Sequence, residues 1–450
     1  PGVMTFLERE ISGLIQHGWD VSVFALHKET LVHYAAELDQ SLVDTHYCLN
    51  RHLLSFKMLQ SHLRILLLHP KVYFQSILFL LRTYGTTWYS FSRAIYAFMK
   101  AGYFYADAKS LGVEHLHAHF AGRTVDVAIF LSQFLDVGFS FTGHSNDVTG
   151  NYPLLQNKIN LASFVVAENE RALEAMKSHI ISDVCTVRAH IVHPGVNTQY
   201  FRPNRESKSD VPTLITVTRL VESKGLDDLV RACSVLRDKE LQFHCNIVGD
   251  GPVYHQLQSQ IHNSSLGEYI TLNGALTSVD IVQLLSEAWI FVLPCVRILG
   301  GQGDHPGEFV SVVEDGIPSS IVEAMSVGLP VVTTDVGSLP EIVENSVNGI
   351  VISERDPDGL SEALLQLIDD VDVEQIRAAS AQRNEPWTLG ELALFDPPPL
   401  TNRAAWKLAT SHHPEAATSA IDGKPGTRWD TRGVQRPGMW FRITLPEPMR

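Results

Sequence analysis

Two carboxylates stand eight positions apart across a helix start in Asp315-Gly316-Ile317-Pro318-Ser319-Ser320-Ile321-Val322-Glu323-Ala324-Met325. Pro318 and the two serines mark the helix N-terminus, which puts Asp315 in the preceding loop and Glu323 in the first turns. The N–H groups of Ser319, Ser320 and Ile321 have no carbonyl partner one turn back, and the helix dipole is positive there. Both features suit a pyrophosphate. The carboxylates suit sugar and ribose hydroxyls as hydrogen-bond acceptors. The same residues also fit an ordinary helix start, where serine and acids are favoured anyway.

A second group, Thr218-Arg219-Leu220-Val221-Glu222-Ser223-Lys224-Gly225, directly follows an apolar strand. Arg219 offers a planar fork and Lys224 a point charge, and both can converge on one phosphate. Such fixed cations meet the negative charge that develops on a departing nucleotide diphosphate. A solvated helix start is the plainer reading. In Val248-Gly249-Asp250-Gly251-Pro252 a strand turns sharply into a helix. Gly249 and Gly251 let backbone come close to a ligand, or simply make a tight turn, while Asp250 offers an acceptor. His144, beside Ser145 and Asp147 at the carboxyl end of another strand, could touch a sugar or handle a proton. His117-Ala118-His119 puts two imidazoles on one face of a strand. No acid or cysteine partner is evident to complete a metal set, so they read as structural and no metal site is expected.

The elements that would hold these residues are α/β in pattern. Helical spacing over Met4–His17 leads to a strand at 19–25, with no strand before that first helix. A first strand is therefore expected to be missing. Strands follow at 113–120, 138–142, 164–167 and 190–193, with a helix over 125–135. A polar, proline-marked linker at 200–212 separates a second set. Its strands are at 213–217, 243–248, 269–272, 290–293, 330–333 and 349–352, and its helices at 226–236, 253–261, 278–288, 319–326 and 358–368. Apolar strands alternating with helices give parallel sheets covered on both faces. The expected organisation is a Rossmann-like domain over 1–199, a second over 200–384 facing it across a cleft, and a strand-and-turn region over 385–450. Ligands bind at the carboxyl ends of such sheets.

At 450 residues, 45% hydrophobic and 19% charged, the chain is globular and long enough for two or three cores. A formal charge of -15 argues against nucleic acid as a partner. The five cysteines, Cys48, Cys185, Cys233, Cys245 and Cys295, form no CxxC pair and read as reduced cytosolic thiols. No signal peptide or spanning apolar run is evident. Charge is uneven, however. Residues 51–109 carry eight Lys or Arg and only Asp107 as an acid, a net +7 that leaves -22 elsewhere. The segment also holds apolar clusters at 65–68 and 77–81, with Trp88, Tyr89 and Phe91. That combination suits either an anionic membrane surface or a helical face packed in the core with solvated edges.

Taken together, the motifs resemble family 4 glycosyltransferases with the GT-B fold, over Pro1 to about Arg383. Pro1 to Glu10, His117-Ala118-His119-Phe120, Phe141-Thr142-Gly143-His144 and His193-Pro194-Gly195-Val196-Asn197 resemble the subgroup that builds bacterial exopolysaccharides such as colanic acid. The resemblance implies that Arg219 and Lys224 hold a diphosphate, Glu323 the ribose and Asp315 the donor sugar, with His144 near that sugar from the other domain. It implies a retaining transfer from a UDP- or GDP-sugar to a glycan or lipid-linked acceptor. No further cofactor is called for, and the setting is cytoplasmic, peripheral to the inner face of the plasma membrane. A sugar-nucleotide epimerase and a catalytically dead binding protein are the alternatives. Asp315 replaces the usual Glu, Thr218 stands where glycine is common, the 296–313 loop is extended, and the last helix that crosses back to the first domain is expected to be absent. Asn402-Arg403-Ala404, Ala420-Ile421-Asp422-Gly423, Thr427-Arg428-Trp429 and Gly438-Met439-Trp440-Phe441 resemble a discoidin-like carbohydrate-binding domain. About half of such a β-sandwich is expected.

Overall fold

The computed structural model describes residues 5–26, 44–47, 55–85, 87–149, 154–179, 189–204, 209–299, 312–313, 316–369, 407–410 and 441–444. The chain divides into two compact units, Pro1–Asn384 and Glu385–Arg450.

The first unit opens on α1 (Thr5–Gln16) and β1 (Ser22–Ala25), which pairs in parallel with β2 (Asp44–Tyr47). β2 has no apolar run to announce it, and its Asp-Thr-His-Tyr sequence hides it from periodicity. The basic segment then forms α2 (Phe56–Leu68), α3 (Pro70–Tyr84) and α4 (Trp88–Ser110). Ser55 and Thr87 cap α2 and α4 by accepting from the Met58 and Ser90 N–H groups. Next come β3 (His115–His119), α5 (Arg123–Leu135), β4 (Gly138–Gly143), α6 (Ser145–Thr149), α7 (Leu155–Leu161), β5 (Phe164–Ala167), α8 (Glu170–Lys177) and β6 (Ala189–Ile191). β3, β4, β5 and β6 lie side by side in that order, all parallel. α4 and α5 bury Phe98, Phe104, Tyr105, Phe130 and Phe134 against Phe141 of the sheet.

One buried charge cluster ties this layer together. Asp126 takes Lys158 Nζ at 2.9 Å, Arg93 at 3.1 Å and the Tyr84 hydroxyl at 3.0 Å. Lys158 also donates to the Ala121 carbonyl at 2.7 Å. The corner between α3 and α4 is thereby held at the carboxyl end of the sheet, beside the loop that leaves β3. Arg93 is thus spent on the core, where solvation was one sequence expectation, and Lys100 is buried as well.

The second sheet has six parallel strands in the order β14-β13-β10-β7-β8-β9. These are β7 (Thr213–Val217), β8 (His244–Val248), β9 (Ile270–Gly274), β10 (Ile290–Leu293), β13 (Val331–Thr334) and β14 (Gly349–Ile352). The helices between them are α9 (Leu226–Asp238), α10 (Tyr254–Asn263), α11 (Ser278–Glu287), α12 (Ser319–Ser326), α13 (Leu339–Ile342) and α14 (Pro357–Asp369). The extended loop after β10 contains a short antiparallel pair, β11 (Ile298–Leu299) and β12 (Val312–Val313). Phe201, expected in the linker, is instead fully buried in the core beneath α12, because a large aromatic there gains more from burial than from bridging. In the second unit only an antiparallel pair is described, β15 (Lys407–Thr410) with β16 (Phe441–Thr444). The other strands of the expected half sandwich, and the final helix question at 370–406, lie outside the described residues.

Candidate active site

Strand order locates the site. From β7 the chain steps to β8 and β9 on one side, then returns to β10, β13 and β14 on the other. The loops after β7 and β10 therefore part at a switch point and leave a crevice at the carboxyl edge of the sheet. Both loops are pinned. Val296 N–H donates to the Ser223 carbonyl at 2.9 Å, and the Thr334 hydroxyl donates to the Cys295 carbonyl at 2.6 Å.

Lys224 sits here, on a 3-10 turn (Glu222–Lys224), with its side chain largely buried. Arg219 lies in the same loop but is exposed, and its side chain makes no hydrogen bond or ion pair among the described residues. Gly249, Asp250 and Gly251 follow β8. Gly249 has φ +136, and a Cβ there would strike the Thr218 carbonyl. The Leu220 N–H donates to the Asp250 carbonyl at 2.9 Å. The glycines thus serve loop-to-loop packing behind Arg219 and Leu220, which is the tight-turn alternative.

α12 begins at Ser319 after Pro318, with Ser319 and Ser320 half-buried and Ile321 fully buried. Glu323, in its second turn, is buried and paired with Arg9 of α1 at 2.7 Å. The Arg9 guanidinium also lies 5.1 Å above the Phe201 ring. Asp315 lies outside the described residues. Its neighbour Gly316 reaches the opposite sheet, where a Cβ would collide with a Glu168 carboxylate oxygen and stand 2.8 Å from Ser145 Oγ.

Across the crevice, His144 ends β4. Its Nδ1 is 2.7 Å from Glu168 Oε2, while Nε2 is buried without a hydrogen-bond partner among the described residues. Glu168 also accepts from the Ser145 N–H at 2.8 Å and hydroxyl at 3.0 Å. Burial pushes His144 toward neutrality, but the Glu168 bond and charge outweigh it and raise its pKa. Burial likewise pushes Glu168 up, yet His144 and Ser145 hold it below the usual carboxylate range. Asp147, beneath the His144 N–H, is pushed up to about 7 by burial.

The aromatic rings of Phe6 and Phe120 flank His144 at 5.1 and 4.4 Å. His119 stands beside them, 3.4 Å from the Glu10 carboxylate. An acid that no sequence proximity suggested therefore does join the histidine pair, and ligand atoms of Glu10, His117 and His119 lie within 4.8 Å of one another. Both nitrogens of His117, however, are engaged by hydroxyls, Ser140 at 2.8 Å and Thr142 at 2.9 Å. Its ring is exposed at the surface yet crowded by neighbouring side chains, and desolvation, with His119 beside it, pushes its pKa down to about 4. Such a histidine serves the sheet edge.

Sequence reasoning did not single out Arg9, Glu168 or the reach of Glu341. Glu341 takes His193 Nε2 at 2.6 Å and the Glu170 N–H at 3.0 Å. The available signal was Glu168-Asn169 directly after β5, the same strand-end position that drew attention to His144.

Two parallel sheets with a crevice between them, joined by polar links across it, form a GT-B type of α/β fold. Residues 197–384 match the family described as "Glycosyl transferases group 1". The chain carries that domain, and it is a glycosyltransferase. It is 26% identical over 380 residues to the amylovoran biosynthesis glycosyltransferase AmsK of Erwinia amylovora, covering 81% of this chain and 87% of that one. It is 33% identical over 171 residues to the putative colanic acid biosynthesis glycosyltransferase WcaL of Escherichia coli, and that stretch spans 38% of this chain and 39% of the relative. In fold it resembles the sucrose-phosphate synthase of Thermosynechococcus elongatus, with TM-score 0.61 and 17% identity over 85% of this chain and 89% of that one. It also resembles Anabaena HepE in complex with UDP and glucose, with TM-score 0.58 and 16% identity over 84% and 90%.

Proposed function

We propose that the protein moves a sugar from a nucleotide-diphosphate donor, a UDP- or GDP-sugar, to a glycan or lipid-linked acceptor in bacterial polysaccharide synthesis, with retention at the anomeric carbon. The observation that carries this reading is the switch-point crevice with Lys224 on one lip and the start of α12 on the other, facing His144. On this reading the diphosphate meets Lys224 and Arg219, which stabilise the charge that grows as the sugar–phosphate bond breaks. Ser319 and Ser320 donate backbone N–H bonds to the same group, while Ile321, whose N–H already donates to the Pro318 carbonyl at 3.0 Å, packs in the core beneath them, and Gly249, Asp250 and Gly251 hold the Arg219 loop in place. Glu323 accepts from the ribose and Asp315 from the sugar, while His144 presents Nε2 to the sugar from the opposite domain.

Relatives named for amylovoran and colanic acid synthesis support the polysaccharide setting, and the UDP complex of a similar fold supports the donor class. The reading includes work at the cytoplasmic face of a membrane, with residues 51–109 toward anionic lipid, and a discoidin-like carbohydrate module within 385–450. Thermal shift with UDP, GDP and their sugars tests the donor, since a ligand of the folded state alone raises the melting temperature. Proton NMR of the transferred anomer tests retention. No shift with any nucleotide sugar would overturn the donor assignment.

A further inference from the structure

α2 and α3 are apolar on the wrong side. In α2 the buried face carries Met58, Ser61, His62 and Ile65, whereas Phe56, Leu59, Leu63 and Leu67 form a stripe on the outer face. In α3 the buried residues are Ser76, Leu80 and Tyr84, while Phe74, Leu78 and Leu81 are exposed. Phe56 is 82% exposed, Leu67 70%, and Trp88 at the start of α4 80%. Scattered surface leucines are ordinary. Continuous stripes on two successive helices are not, and they mark a surface with a partner.

The charges say which partner. Arg64, Lys71 and Arg82 are exposed on these two helices, and neither helix contains an Asp or Glu. Three other cations of the basic segment are spent elsewhere: Lys57 on Asp107 at 2.6 Å, Arg93 on Asp126, and Lys100 in the interior. An acid-free basic and apolar face does not suit a copy of itself, because like charges would meet. It suits a bilayer that supplies anionic headgroups above hydrocarbon. Among the described residues no single helix is long and apolar enough to cross a membrane, and α2 and α3 meet at a bend of 114°. A pair so bent does not form one straight span.

We infer that α2 and α3 form a lipid-docking wedge, which sinks the Phe56-Leu59-Leu63-Leu67 and Phe74-Leu78-Leu81 stripes into an anionic phospholipid surface while Arg64, Lys71 and Arg82 stay at headgroup level. This deepens the membrane contact proposed above and does not depend on the donor assignment. Position gives the wedge its use. The Asp126 cluster fixes the α3–α4 corner to Ala121, in the loop that leaves β3 toward the cleft, so docking brings the cleft rim to the height at which a lipid-linked acceptor presents its sugar. The net negative charge of the rest of the chain turns the remaining surface away from the same lipid.

The full chain is sedimented with phosphatidylcholine vesicles with and without phosphatidylglycerol, alongside Leu63→Glu/Leu67→Glu and Arg64→Ala/Lys71→Ala/Arg82→Ala variants. All five positions are exposed, so folding is preserved, and melting temperature checks this. The expected result is pelleting with phosphatidylglycerol vesicles that falls at least tenfold in the Leu variant. In the Arg/Lys variant it should fall at low salt and lose its salt dependence. Absence of pelleting, or pelleting indifferent to both variants, overturns the wedge. A dimer in light scattering that the Leu variant dissociates, without vesicle binding, assigns the face to a second copy and overturns it too. UDP and GDP binding, measured in parallel, separates this outcome from the donor reading: a wedge that binds vesicles in a protein that binds no nucleotide leaves only the latter refuted.

Discussion

Glu168→Gln isolates what holds His144. The carboxylate accepts from His144 Nδ1 at 2.7 Å and from the Ser145 N–H at 2.8 Å. Glutamine keeps the shape and can still accept from Ser145 while turning its amide toward Nδ1. The charge is lost, so a bond worth roughly 1.5–3 kcal/mol becomes one of about 0.5–1.5 kcal/mol. The difference, about 1 kcal/mol, is roughly fivefold in transfer rate if His144 acts through Nε2. The tautomer changes as well, because an amide that donates to Nδ1 moves the ring proton to Nε2.

Stability follows the same pair. The pKa of His144 is raised from 6.5, so its contribution is full below that value and fades as pH rises through the folded pKa. That of Glu168 is lowered from 4.5, so its contribution is full above that value and fades as pH falls through the folded pKa. The wild-type advantage over Glu168→Gln in urea unfolding should therefore be greatest between pH 4.5 and 6.5 and narrow on either side. Nitrogen-15 NMR of the histidines reads tautomer and pKa, and the pH profile of kcat reads the consequence. An unchanged His144 titration in the variant, or a loss of stability with no change in the rate profile, would refute a positioning role for Glu168.

Lys224→Ala should weaken nucleotide-diphosphate binding by roughly 1.5–3 kcal/mol and nucleoside binding far less, by calorimetry; equal losses would remove Lys224 from the phosphate site. Arg9→Ala takes the cation from a buried pair with Glu323 and should cost roughly 3–5 kcal/mol in urea unfolding. Gly249→Ala adds backbone strain of roughly 1–3 kcal/mol at φ +136 and forces the Thr218 carbonyl aside, so the melting temperature should drop sharply while Asp250→Ala does little. Removing Glu385–Arg450, which forms a unit of its own, should leave nucleotide affinity unchanged by calorimetry.

Strands and helices of the second sheet were legible because each is an apolar run bounded by glycine, proline or polar turns, as at 213–217 and 290–293. Spacing also ordered the loops that carry Arg219, Lys224 and Glu323. What stayed hidden was partnership over long sequence distances. Nothing near Glu323 announces Arg9, because a salt bridge between residues more than three hundred positions apart depends on how two sheets face each other. Nothing near His117 announces Glu10 for the same reason. The helical hairpin was half legible. Composition showed leucines among arginines, but only three-dimensional placement shows that the leucines of α2 face outward and Ser61 and His62 inward.

The same long-range partnership bears on how the crevice would take a donor. Glu323 is held by Arg9, Glu341 by His193 and the Glu170 N–H, and Glu168 stands against Gly316. These carboxylates, of which sequence presented Glu323 as an acceptor for a ligand, are thus already satisfied, two of them from across the cleft. A ribose that claims Glu323 has to replace a charge-assisted bond with neutral ones, which alone is unfavourable. On the proposed reading the donor brings its own compensation, since its diphosphate offers a released guanidinium a new anion. Donor binding then exchanges one ion pair for another, and a nucleoside, which lacks the phosphates, has no such exchange to offer. Nucleoside affinity should accordingly rise in Arg9→Ala relative to wild type while diphosphate affinity falls. If both fall in parallel in calorimetry, Arg9 serves only to hold the two sheets together.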